Sequence, residues 1–170
     1  MIIRPATPAD ADPLWEILEP VFRAGETYAV PRDIDRAGAL AYWLAPGAAV
    51  FVAEEDGEVL GTYALRTNRQ GGGDHVANCG YVTHPRATGR GVGAALCAHS
   101  LEEAARRGFR AMQFNFVVAS NERAVALWQR FGFAIVGRQP RAFRHPRLGL
   151  VDALVMHRDL PAAGPAVDLP

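Results

Sequence analysis

Three glycines at every second position, Gly89, Gly91 and Gly93, follow Pro85 and precede a helix-period run. A short apolar segment, residues 76–83, leads into them. Strand, glycine turn and helix N-terminus together suit an anionic ligand. Glycine lets backbone N–H groups approach unhindered, and the helix end offers unpaired donors and a favourable dipole. A phosphate or pyrophosphate is the expected guest. Asn115 is a second candidate for chemistry. It falls inside an apolar strand pattern, residues 110–118, where a buried amide needs partners or a task. The five histidines are scattered without the i,i+4 spacing of a metal pair, and Cys79 and Cys97 are far apart in the chain, so no metal site is expected. His84 and His145 are candidate bases by residue type.

Three kinds of phosphate reader compete for the glycine stretch. A P-loop requires Lys and then Ser or Thr after the last glycine, and Ala94 and Ala95 stand there instead. A dinucleotide fingerprint can be laid over Gly89, Gly91 and Ala94, but the next strand, residues 111–116, supplies no acid for a ribose. The third is the acetyl-CoA loop of the GNAT N-acetyltransferases, Gln/Arg-x-x-Gly-x-Gly/Ala. Residues 88–93 resemble it, with Gly91 and Gly93 in the glycine positions and Thr88 in place of Gln or Arg. The register Arg86-x-x-Gly89-x-Gly91 also satisfies the pattern, two residues earlier against the helix. Residues 121–133 resemble a second segment of that family, Asn-x-x-Ala-x-x-Leu-Tyr-x-x-x-Gly-Phe. Asn121 can cap that helix, and Ala124, Leu127, Trp128 and Phe131 recur as one apolar face. Gly132 fits a left-handed C-terminal cap. One helix and one strand separate the two segments, and that spacing makes the pair specific.

The resemblance implies transfer of acetyl from acetyl-CoA to the amine of a small molecule, by direct attack in a ternary complex and without a metal. It implies that Thr88, Gly89, Arg90, Gly91, Val92 and Gly93 hold the cofactor phosphates. It implies that the open backbone of Val82 and Thr83 pairs with the pantetheine arm, and that Asn121, Ala124 and Trp128 belong to the cofactor site. The loop after the first helix borders the acceptor pocket in the family, so Glu26, Thr27 and Tyr28 become substrate candidates, with Tyr81 from strand 76–83. Asn78, Asn115 and Asn121 also resemble the asparagines of the yeast N-acetyltransferases of azetidine-2-carboxylate, a proline analogue. In that branch the first two lie at the acceptor and thioester. Asn78 and Asn115 are therefore expected to be catalytic or substrate-positioning, and an amino or imino acid becomes a candidate acceptor. An amide is no base, but it can donate to an oxyanion. The family's usual acid is a Tyr where this chain has Trp128, and an indole N–H is a donor only. A CoA thiol, with a pKa of about 8.5 like that of cysteine, can leave as thiolate. Two rivals stay open: a non-catalytic acyl-CoA-binding module, and a protein or peptide N-acetyltransferase. Dimers are frequent in the family, so a homodimer is compatible with the resemblance.

The elements must position these groups. Hydrophobic residues make up 49% and charged residues 21% of 170, as in globular domains. One domain over residues 1–160 is expected, with a Pro/Ala-rich tail at 161–170. Eighteen basic and 18 acidic residues cancel, so neither nucleic acid nor an anionic membrane is indicated as a partner. No run reaches transmembrane length and the start has no signal-peptide pattern, and two cysteines form no disulfide framework. A cytoplasmic location is expected. The pattern predicts a strand at 1–5, then a helix opened by Thr7, Pro8 and Asp10 and closed by Gly25, with Leu14, Ile17, Leu18, Val21 and Phe22 buried. A second helix at 34–44 follows, then strands 49–54 and 58–66 joined through Asp56-Gly57. Strand 76–83 carries Gly80, which predicts a bulge or a close backbone approach. Helix 92–107, an alternating strand 110–118, helix 121–131, strand 133–138, an arginine-rich loop 139–149 and strand 150–158 complete the chain. The class is α+β: a GNAT-like mixed, mostly antiparallel twisted sheet flanked by helices.

Overall fold

Thr7, Pro8 and Asp10 begin helical structure as expected, with one refinement. Residues Pro8–Asp10 form a 3-10 turn that feeds α1 (Ala11–Ala24). The Asp10 carboxylate accepts from the Thr7 backbone N–H at 2.6 Å and from both terminal nitrogens of Arg4. Gly25, at φ 65°, closes α1, a conformation that disfavours any residue with a Cβ. α2 (Arg36–Trp43) starts later than its apolar pattern, because Asp35 caps it by accepting from Gly38 N at 2.7 Å.

The computed structural model describes residues 1–161. The expected tail, from residue 162 on, lies outside the described residues. The strands are β1 (Ile2–Pro5), β2 (Ala49–Glu55), β3 (Glu58–Thr67), β4 (Val76–Thr83), β5 (Ala111–Val118), β6 (Ala134–His145) and β7 (Gly149–Asp159). The remaining helices are α3 (Val92–Arg106) and α4 (Glu122–Arg130). One seven-stranded sheet runs β1-β2-β3-β4-β5-β7-β6. Every neighbouring pair is antiparallel except β4 and β5. The Asp56-Gly57 hairpin has positive φ at both residues, 54° and 81°, as a primed two-residue turn requires.

Period-two alternation gives the sheet two buried faces. Leu14, Ile17, Phe22 and Trp43 from α1 and α2 cover Val52, Ala64 and Val82. Leu96, Cys97 and Ala104 from α3, with Trp128 from α4, cover Tyr63, Cys79, Met112 and Phe114.

Two expectations change. β5 does not alternate throughout: Phe114 pairs with Met156 but Val117 with Leu154, so one extra residue bulges at Asn115–Phe116. A bulge re-aims its side chains, and Phe114 and Val117 both end in the core. The arginine-rich segment expected as a loop is largely strand, since β6 continues to His145. Pro140 and the left-handed Arg141 (φ 52°) fall in a bulged stretch between Gln139 and Phe143. β6 is an edge strand, where a missing N–H costs no ladder bond.

Candidate active site

The site forms where β4 and β5 part. These strands pair only at Val76–Ala111 and Ala77–Met112. Beyond Ala77, β4 keeps its antiparallel partner β3 on one side alone. His84 N donates to Leu60 O and Asn68 N donates to Val76 O, which sets the parity. Even-numbered residues of β4 turn their peptide groups to β3, and odd-numbered ones turn theirs to the gap. The backbone edge without a strand partner therefore belongs to Cys79, Tyr81 and Thr83. Val82, expected on that edge, is turned to β3, and its side chain is buried beneath α1 and α2.

Two cavities meet at this gap. The first, about 670 Å³, is walled by the glycine turn and α4. Thr88, Gly89, Gly91, Val92 and Gly93 all line it. Gly89 and Gly91 have φ of 80° and 79°, and Gly91 is the N-cap of α3. An added Cβ at either would meet no atom within 4 Å, so their need for glycine is one of backbone conformation. Arg90 departs from expectation: its guanidinium pairs with Glu55, and it is not among the lining residues. The second cavity, about 400 Å³, lies towards α1 and α2. Tyr81, Thr83, Asn121, Ala124 and Trp128 border both. Asn121 also caps α4, its Oδ1 accepting from Ala124 N at 3.4 Å. Trp128 packs on Tyr81 with ring centroids 4.7 Å apart.

The second cavity collects the amides. Asn78 Nδ2 donates to Gln113 O at 2.8 Å. Asn115 Nδ2 donates to Asn68 Oδ1 at 2.6 Å, while its own Oδ1 accepts from Gln113 Nε2 at 3.0 Å. Each NH2 carries two hydrogens, so one donor on each asparagine is held and the other remains. Tyr28 Oη donates to the Tyr81 carbonyl at 2.9 Å, over Gly80. A Cβ on Gly80 would lie 3.2 Å from that hydroxyl. Gly80 thus marks a close approach, since β4 stays in register with β3 throughout.

Other candidates are placed elsewhere. Thr27 lines the second cavity, but Glu26 does not; it pairs with Arg147 at the tip of the β6–β7 hairpin. The Tyr81 phenol lies on the face of β4 beneath α3, 2.7 Å from Ser100 Oγ. His84 Nδ1 accepts from Arg86 N, and His145 Nδ1 accepts from Arg147 N and Leu148 N. Neither histidine lines either of these two cavities. Burial pushes the Tyr28 hydroxyl and the Cys79 thiol well above their ordinary pKa values. No Asp, Glu, Lys or His borders the second cavity among the described residues. Arg66 does, and its spacing from the other groups gave no sign of this in the sequence. Among the described residues no cluster of three His, Cys, Asp or Glu side chains could hold a metal, and no helix is long and apolar enough to cross a membrane.

The fold is shared. The model of the acetyltransferase (GNAT) family matches residues 11–133. The fission yeast Schizosaccharomyces pombe protein called N-acetyltransferase aca1 is 31% identical over 105 residues, covering 61% of this chain and 50% of its own length. This chain therefore spans about half of that relative. A GCN5-related N-acetyltransferase from Kribbella flavida is 42% identical, with a TM-score of 0.90 over 94% of this chain and 97% of that one. The yncA protein of Salmonella typhimurium, solved with its cofactor acetyl-CoA, is 25% identical, with a TM-score of 0.83 over 96% of each chain.

Proposed function

Given that the chain belongs to the acetyltransferase (GNAT) family, we propose that it transfers acetyl from acetyl-CoA to the amine of a small molecule, an amino or imino acid being the candidate acceptor. The observation that carries this reading is the meeting of the two cavities at the β4–β5 gap, with Trp128 in both walls. A cofactor entering along the glycine turn would bring its thioester beside the amides of Asn78 and Asn115.

The residues divide the work. Backbone N–H groups of the glycine turn and the α3 N-terminus hold the pyrophosphate, where glycine backbone and helix dipole favour an anion. The gap-facing peptides of Tyr81 and Thr83 pair with the pantetheine amides, and Asn121, Ala124 and Trp128 wall that arm. Asn78 and Asn115 orient the amine and offer N–H donors to the oxyanion that forms on attack. Two substrates held together supply much of the rate. No wall residue can accept the amine proton near neutral pH, so it leaves through water. Trp128 delivers no proton, and the thiolate departs as such. A cytoplasmic setting provides acetyl-CoA and keeps Cys79 and Cys97 as thiols.

The test is thiol release from acetyl-CoA with amino acids, imino acids, polyamines and aryl amines, in the wild type and Asn115→Ala. Turnover on one class is expected, with kcat in the variant reduced by about 100-fold or more while acetyl-CoA still binds. Cofactor binding without turnover on any amine would instead support an acyl-CoA-binding module, and turnover on peptides alone a protein N-acetyltransferase.

A further inference from the structure

Arg66 is the only fully charged side chain among the described residues that line the acceptor cavity. Its Nε is buried and has no hydrogen-bond partner among the described residues. Its Cζ lies 5.8 Å from the centroid of the Tyr42 ring, which steadies the guanidinium without satisfying its N–H groups. A half-buried guanidinium whose Nε has neither water nor a partner is costly, and a carboxylate answers a guanidinium with two parallel charge-assisted bonds.

The register places this charge beside the candidate catalytic amides. Arg66 on β3 pairs directly with Asn78 on β4. Directly opposed residues hold their Cβ atoms about 5 Å apart on one face of a sheet. Asn68, two residues further along the chain, accepts from Asn115. Guanidinium and both asparagines thus serve one small volume, on the face covered by α1 and α2.

We propose that Arg66 receives a carboxylate of the acceptor, so that the substrate is an amine with a free carboxylate close to its nucleophilic nitrogen, as in an α-amino or imino acid. This rests on the acetyl-transfer reading above. It adds a selection rule. Carboxamides and peptide N-termini lack the anion, aryl amines lack it too, and a polyamine brings a second cation against Arg66.

The test pairs each free amino or imino acid with its own carboxamide as acceptors, in the wild type, Arg66→Gln and Arg66→Lys. The acids are expected to exceed their amides by about 100-fold in kcat/KM. In Arg66→Gln that preference collapses, chiefly through a rise in KM for the acids. Arg66→Lys keeps part of the preference as a point charge. Wild-type protein that uses amides as readily as acids overturns the proposal, and so does an Arg66→Gln variant that loses both equally. Melting with saturating acetyl-CoA checks that the variants fold; the wild-type comparison of acid with amide decides even if they do not. If no amine is turned over, the transfer reading fails by itself. Calorimetry of N-acetylproline and N-acetylprolinamide on the CoA-saturated protein then judges Arg66 separately. A preference for the acid that Arg66→Gln abolishes supports the assignment, and equal binding or none overturns it.

Discussion

Asn78 and Asn115 carry hydrogen bonds that hold them and still keep a donor each. This suits stabilisation of an oxyanion, whereas an amide cannot take the proton of the amine. Tyr28 donates to a backbone carbonyl, and burial raises its pKa and that of Cys79, so neither is a base at neutral pH. The neutral fraction of the amine itself must then set the rate. We predict that kcat/KM rises about tenfold per pH unit below the substrate's own amine pKa. Tyr28→Phe should leave the shape of that profile unchanged. An inflection near neutrality that stays put when the amine is changed would reveal a base on the protein. At this scale Asn115 was legible because an amide inside an apolar strand is anomalous, and Asn78 only through the family resemblance. Arg66 was not legible, because nothing local distinguishes it from a solvated surface arginine; only pairing with Asn78 puts it in the cavity.

The elements that carry these residues are set by caps, turns and bulges. Asp10 is 3% exposed and binds Arg4 and the Thr7 N–H. Arg4 also reaches Glu54 on β2, so this cluster ties β1, the start of α1 and the sheet together. The Arg4 guanidinium holds the Asp10 carboxyl well below the usual carboxylate range. The folded protein then takes up this proton less readily than the unfolded chain. Its stabilisation is complete above about pH 4 and is lost as pH falls below that value. Asp10→Asn should lower stability by about 1–2 kcal/mol at neutral pH, and denaturant melts at pH 7 and pH 3 should differ less than in the wild type. An unchanged pH dependence would show that the cluster contributes nothing. Helix limits and the primed hairpin were readable from Asn121, Gly132 and Asp56-Gly57, since these signals act within a few residues. The extension of β6 and the bulge in β5 depend on pairing with β7, which no local pattern encodes.

Across the whole molecule, the sheet is continuous except at the β4–β5 gap, where backbone groups of β4 lack a strand partner. A cofactor that fills that gap binds the folded chain and not the unfolded one. Acetyl-CoA at 100 times its Kd should add about 2.7 kcal/mol, a rise in melting temperature of roughly 5–10 °C. Gly91→Ala, which forces a Cβ into a left-handed position at the α3 N-cap, should reduce that shift. A melting temperature indifferent to acetyl-CoA would remove the basis for the cofactor site. The chain contains no lysine, all 18 of its basic residues being arginine, so acetyl transfer to its own ε-amines cannot confuse such assays.

The sequence alone determined the family, the glycine turn before α3 and the α+β class, because each rests on short-range patterns: glycines before a helix, capping residues, and alternation of apolar positions. Tertiary structure decided what faces what. Antiparallel parity turned Val82 away from the gap and Tyr81 and Thr83 towards it. An ion pair drew Arg90 to Glu55, and the packing of α3 drew the Tyr81 phenol to Ser100. Register brought Arg66 beside the asparagines. These outcomes depend on pairings between distant segments, whose partners become neighbours only when the sheet closes.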